Sequence, residues 1–167
     1  MTSIYDVGLW WWPRPEPVVS RAERADCDDL ATIHAAAFHR GWGAEDIAAM
    51  LAERNVLAHV IRRRPAAPPA GFILSRIAAD EAEILTVAVA ARLRGRGYGA
   101  RLLKAHVPDL MRAGVRTLFL EVEVGNSPAL HLYERAGFVT IGRRKGYYRT
   151  EAGTTDAITM RRDLPAL

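Results

Sequence analysis

The hexapeptide Arg94-Gly95-Arg96-Gly97-Tyr98-Gly99 has the residue types and spacing of an anion site. It follows an apolar stretch over 84–89 and opens an amphipathic stretch over 100–113. A helix start presents unpaired backbone N–H groups, and its aligned peptide dipoles favour negative charge there. Glycines let the backbone approach the anion closely. Arginines add charge-assisted, two-pronged hydrogen bonds. The expected ligand is a phosphate-bearing molecule, and the spacing narrows its class. A Walker loop needs Gly-x-x-x-x-Gly-Lys-Ser/Thr, which does not occur here. A dinucleotide fingerprint needs Gly-x-Gly-x-x-Gly, whereas these glycines read Gly-x-Gly-x-Gly. A plain Gly/Arg-rich turn is the competing reading of the same string.

Two further side chains stand where acid–base chemistry is possible. Glu121 interrupts an apolar, strand-like run over 117–124. In a strand, Thr117, Phe119, Glu121 and Glu123 share one face, and Leu118, Leu120, Val122 and Val124 share the other. With apolar residues on both faces a carboxylate needs a purpose, and a solvated outer face is the alternative. Tyr133 falls at helical spacing with Leu130 and Leu132. It reads either as a packed aromatic or as a proton donor, since its phenol is protonated at neutral pH.

Those groups need a scaffold, and 167 residues suffice for one domain with a real core. Half the residues are hydrophobic and a quarter charged, the profile of a soluble globular protein. No apolar run reaches the length of a membrane span, and no basic-then-apolar secretory signal opens the chain. The lone Cys27 permits no internal disulfide and fits a reducing compartment, so the expectation is a cytoplasmic protein. No Cys/His cluster has metal-ligand spacing, and the five scattered histidines read as surface or packing residues. The net charge of +4 raises nucleic acid as a partner. But Arg92, Arg94, Arg96, Arg101 and Lys104 fall in one acid-free window, which a polyanionic cofactor explains without it.

Residues 1–16 stand apart. Trp10, Trp11 and Trp12 precede Pro13, Pro15 and Pro17, a spacing that blocks helix and central strand. An extended arm ahead of a single domain over 17–167 is expected, with some of its tryptophans packed on the domain or a partner. A short strand over 18–21 leads to a helix capped by Asp26, with Asp28 and Asp29 in its first turn. An aromatic loop over 38–43 joins it to a second helix over 44–54. Strands follow over 56–62, 70–77 and 83–89. The helix from 97 carries Leu102, Leu103, Val107, Leu110 and Met111 on one face. Pro108 is expected to kink it or break it near Lys104, and Gly114 to stop it. A strand over 117–124, a helix capped by Ser127 with Pro128 in its first turn, and strands over 138–141 and 156–160 complete the chain. The order predicts a mixed α/β fold.

That order and four motifs resemble the GNAT superfamily of N-acetyltransferases. The motifs are Thr86-Val87-Ala88-Val89, the loop from Arg94 to Gly99, Leu120-Glu121-Val122 with Asn126, and Leu132-Tyr133-Glu134-Arg135-Ala136-Gly137-Phe138. The likeness covers about residues 18–162. The run Arg143-Arg144-Lys145-Gly146-Tyr147-Tyr148 and the closing Asp156-Ala157-Ile158-Thr159-Met160 are most similar to the ribosomal-protein-alanine N-acetyltransferases.

The resemblance implies an acyl-CoA N-acyltransferase fold, a mixed and mostly antiparallel sheet of six to seven strands with helices on both faces. It implies acetyl-CoA as cofactor and no metal. Val87, Ala88 and Val89 would pair with the pantetheine arm, the Val89 N–H facing the thioester carbonyl. Arg94, Gly95, Arg96, Gly97, Tyr98, Gly99 and Ala100 would hold the pyrophosphate, and Asn126 would bind the coenzyme through its amide. Glu121 would be the general base, with Glu123 a weaker competitor, and Tyr133 the general acid. Phe38 and Trp42 would form one wall of the acceptor groove, Tyr147 and Tyr148 the other. The implied acceptor is the N-terminal amine of a protein, most naturally a ribosomal one, taken by a monomer or weak dimer without stable nucleic-acid binding or membrane contact. Other acceptors of the superfamily are a small amine, a lysine side chain or an aminoacyl-tRNA, and a non-catalytic acyl-CoA sensor is the reading from a different class. Gly41-Trp42-Gly43 departs from the family's Pro-Trp-Ser, which bears on the acceptor and not on the chemistry.

Overall fold

Along the chain run β1 (Val18–Arg21), α1 (Cys27–Ala35), α2 (Ala44–Ala52), β2 (Val56–Arg62), β3 (Pro69–Ala78), β4 (Glu81–Val89), α3 (Tyr98–Arg112), β5 (Thr117–Glu123), α4 (Ser127–Arg135), β6 (Val139–Thr150) and β7 (Gly153–Asp163). This computed structural model describes residues 16–38, 40–150 and 153–165. The tryptophans of the expected arm lie outside the described residues. The strands form one sheet in the order β1-β2-β3-β4-β5-β7-β6. Every neighbouring pair is antiparallel except β4–β5. Element order and fold match the sequence expectation.

Each face of the sheet carries its own core. On one side α3 lies over β2, β3 and β4, and Leu102, Leu103 and Leu110 share a core with Ile73, Leu118, Leu120 and Met160. The buried α3 residues recur at three- and four-residue steps, so one stripe faces the sheet. Each fully buried leucine contributes about 2 kcal/mol. On the other side α1 and α2 place Leu30, Ile33 and Ile47 against Val60, Phe72 and Leu74. Asp26 does not cap α1 with its side chain. A 3-10 turn precedes the helix, and the carboxylate instead accepts from the Glu23 N–H and from Arg62.

Helix α3 runs unbroken through Pro108, where the sequence offered a break near Lys104 as one outcome. Its proline half is tied to the sheet by a buried polar chain. His59 Nε2 lies 3.0 Å from Asp109 Oδ2, His59 Nδ1 lies 2.8 Å from His106 Nδ1, and His106 Nε2 lies 2.8 Å from Ser75 Oγ. Arg21 and Arg112 both ion-pair with Asp109. Tethers from β1, β2 and β3 thus compensate the backbone bond that proline removes.

Candidate active site

The geometry of the site begins with a parting of two strands. The β4–β5 ladder covers Glu81↔Thr117 to Ile84↔Leu120, while β4 continues to Val89. At the same point the β3–β4 ladder shifts, from Ser75↔Ile84 to Leu74↔Thr86, so Leu85 is a bulge. A bulge re-aims the strand that carries it, and here it turns β4 away from β5. Beyond it Val89 pairs opposite Gly71, and the Ala90 N–H donates to Ala70 O at 2.9 Å. The alternation of an antiparallel ladder then turns the N–H and C=O groups of Val87 and Val89 away from β3, toward the gap.

That gap opens into a cavity of about 920 Å³ between the β4 end, α3 and α4. Among the sequence-predicted cofactor residues, Val87, Ala88, Val89, Arg94, Gly95, Gly97, Tyr98, Gly99, Ala100 and Asn126 line it, and Arg96 does not. Gly95 and Gly97 hold φ of 72° and 78°, a conformation that side-chain-bearing residues avoid. This turn starts α3 at the cavity wall, where Gly97, Tyr98, Gly99 and Ala100 stand and a helix start carries unpaired N–H groups. The apolar Leu93, Leu103 and Leu132 stand among the lining with Lys104, Arg135 and Arg162. An elongated polyanion with an apolar arm fits such a donor set, as coenzyme A would.

Several predicted residues make contacts that their spacing did not announce. Arg94 spends its guanidinium on backbone, Nε donating to Val89 O at 3.1 Å and Nη2 to Ala36 O at 3.3 Å. Asn126, not Ser127, caps α4, its Oδ1 accepting from the Ala129 N–H at 3.2 Å. Its Nδ2 group is the part that can donate into the cavity. Tyr133 is 7% exposed, edge-on to Phe138 in the α3–α4 core, and is not among the cavity-lining residues.

Glu121 sits on β5 one residue past the end of the β4–β5 ladder, pairing opposite Thr159. Its side chain is 15% exposed, and its Oε1 accepts from Arg144 Nη1 at 2.7 Å. Tyr147 also hydrogen-bonds Glu121, and that bond, before burial, pushes the phenol above its ordinary pKa. The Arg144 guanidinium lies 4.2 Å from the Tyr147 ring centroid, a cation–π contact that fixes both on the carboxylate. Arg144 is the partner that spacing alone did not reveal. Glu123 is engaged elsewhere, accepting from Thr155 Oγ1 at 2.7 Å. The Tyr148 side chain lies outside the described residues.

On the other flank, Phe38 lines the cavity and stacks on His34 at 4.4 Å between ring centroids. Trp42 stacks on the same ring at 4.2 Å, and its backbone N–H donates to His34 Nδ1. Burial pushes His34 down to about 4, so it stays a neutral acceptor. Trp42 does not line the cavity, and its ring packs on His34.

A family model for the acetyltransferase (GNAT) family matches residues 9–138. The chain belongs to the GNAT acetyltransferase family. Within that family it is 31% identical over 144 residues to the [ribosomal protein bS18]-alanine N-acetyltransferase of Haemophilus influenzae, covering 86% of this chain and 96% of that one. It is 38% identical over 91 residues to the protein of the same name from Escherichia coli. That match spans 54% of this chain and 62% of the relative's length. The crystal structure of the ribosomal-protein-S18-alanine N-acetyltransferase from Escherichia coli superposes with a TM-score of 0.82 at 28% identity. The superposition covers 90% of this chain and 96% of that one.

Proposed function

We propose that this chain transfers an acetyl group from acetyl-CoA to the N-terminal α-amine of a protein, a ribosomal protein first among candidates. The supporting observation is the open edge of β4: it leads from a glycine-turned helix start to a carboxylate one residue beyond the strand parting. The names of the GNAT relatives point the same way. Such N-termini are made in the cytoplasm, where we place the enzyme.

In this reading the α3 N–H groups and Gly95–Gly97 turn hold the pyrophosphate, and the exposed edge of Val87 and Val89 holds the pantetheine amides like an added strand. The thioester supplies an activated acetyl group. The Val89 N–H stabilises the charge that develops on its carbonyl oxygen. An α-amine of pKa near 8 is largely ammonium at neutral pH, so Glu121 takes its proton directly or through water. Tyr133, whose ring packs against Phe138 behind the cavity lining, is in this reading the residue whose hydroxyl returns a proton to the leaving thiolate. Phe38 and Tyr147 flank the acceptor, with Trp42 behind Phe38 and Tyr148 beyond Tyr147.

A thiol-release assay tests this reading. Peptides beginning with alanine in ribosomal sequence are compared with the same peptides blocked at the N-terminus, free lysine and polyamines. Release with free peptide N-termini alone is expected. Release with blocked peptides or with lysine would move the acceptor to a side-chain or small-molecule amine.

A further inference from the structure

Arg94 stands in the stretch expected to grip phosphate, yet its guanidinium faces two backbone carbonyls from separate elements. One is Val89 O, at the end of β4. The ladder turns this carbonyl away from β3, and the Val89 N–H shares that edge. The other is Ala36 O, the C-cap of α1, 58 residues away in sequence. A guanidinium suits that position, because the last helix carbonyls lack intrahelical donors and carry the negative end of the dipole.

Past Ala36 the chain enters the acceptor-side loop and reaches Phe38, which lines the cavity. Phe38 and Trp42 both stack on His34, in the last turn of α1. The loop and the end of α1 therefore move together, and Arg94 joins that unit to the strand edge facing the cofactor cavity.

We propose that Arg94 is a positioning residue: a strut that fixes the acceptor wall at Phe38 to the Val89 end of β4, and not a ligand of the cofactor phosphates. The consequence for acyl transfer rests on the N-acetyltransferase reading above, whereas the strut itself does not. Bidentate reach is essential to it. A lysine would keep the charge but offers one nitrogen on a flexible stem, and it cannot span both carbonyls. Misplacing an acceptor by about an ångström costs as much as a hundredfold in rate.

The experiment compares wild type, Arg94→Ala and Arg94→Lys by hydrogen–deuterium exchange of residues 36–43, with coenzyme A titrated calorimetrically into each. Expected is an exchange increase of about tenfold or more in both variants, a local opening of the loop, with coenzyme A affinity held within about threefold. Thermal melting confirms that each variant is folded. Exchange unchanged in Arg94→Lys, or a loss of coenzyme A affinity of about tenfold in Arg94→Ala, overturns the proposal. Peptide turnover is a separate arm. In Arg94→Lys, kcat/KM should fall at least about tenfold through peptide KM and kcat, while the acetyl-CoA KM stays put. Peptide KM and kcat unchanged there would also overturn it. Should wild type turn over no peptide at all, the N-terminal acceptor reading fails, and the exchange and calorimetry still decide the strut.

Discussion

Arg144 Nη1 stands 2.7 Å from Glu121 Oε1, so the carboxylate proposed to take the acceptor's proton is paired with a cation of its own chain. The bond, followed by the charge of Glu121, raises the Arg144 pKa further, so the guanidinium stays charged throughout the working range. An incoming ammonium must displace it or share the carboxylate. We predict that Arg144→Gln lowers the peptide KM about two- to fivefold, the scale of an exposed ion pair. It should also lower kcat, because an unshared carboxylate holds the acceptor as ammonium. Steady-state kinetics checks this, and a raised KM with unchanged kcat would show that Arg144 touches the acceptor instead.

Glu121→Gln keeps the shape of the site and removes the proposed base. The expected loss in kcat at neutral pH is about a hundredfold or more, with coenzyme A binding unchanged. The residual rate should climb about tenfold per pH unit until the α-amine loses its proton unaided near pH 8. A pH–rate profile of the variant parallel to wild type would assign the base elsewhere.

Much of this site was legible in the sequence because its logic is local. The glycine turn, the helix after it and the apolar strand before it lie within thirty residues or so, and each has its own periodicity. What escaped was long-range. The contact of the Arg94 guanidinium with Ala36 O exists only because α1 folds beside the loop. Arg144 reaches Glu121 only because β6 and β7 form a long hairpin arm, Val139–Thr150 and Gly153–Asp163, where the sequence predicted two short strands. Residues 143–150 read Arg-Arg-Lys-Gly-Tyr-Tyr-Arg-Thr, and 143–147 are exposed, so no apolar alternation announced a strand. The histidines, read as surface or packing residues, hid a partnership of the same kind: His59 and His106 are packed in the interior and pair across 47 residues, a contact no spacing rule contains.

Gly97 gives a sharper test of the phosphate loop. Its φ is 78°, and a Cβ added there would meet nothing within 4 Å, so the cost of Gly97→Ala is backbone strain alone. That strain is about 1–2 kcal/mol. The free loop can relax out of the left-handed conformation, and the ligand must then restore it. Coenzyme A affinity should fall about tenfold, which calorimetry measures. An unchanged Kd would mean that this turn does not hold the pyrophosphate.

The buried chain under α3 predicts acid sensitivity, and its direction is set by where its hydrogens lie. A carboxylate only accepts, so His59 donates from Nε2 to Asp109. Its Nδ1 must then accept from His106 Nδ1–H, and His106 Nε2 accepts from the Ser75 hydroxyl. Every ring nitrogen is committed: a proton added at His59 Nδ1 would set two donors face to face, and one added at His106 Nε2 would charge a ring buried beside His59. Burial accordingly pushes His106 down to about 3, and it lowers His59 as well, with Arg21 acting in the same direction and Asp109 opposing. In the unfolded chain these histidines titrate near 6.5. The unfolded state therefore binds more protons below that value, and the stability these residues contribute is present above about pH 6.5 and lost as pH falls below it, for His106 down to about 3. Between pH 7 and pH 5 a histidine held neutral, as His106 is, should cost about 2 kcal/mol of unfolding free energy, and His59 adds to that loss in the same direction. Urea denaturation at the two pH values checks this, with ¹⁵N shifts of the imidazoles reporting the tautomers. Equal stability at both would show that the chain carries a proton in the folded state, and the donor order argued here would be wrong.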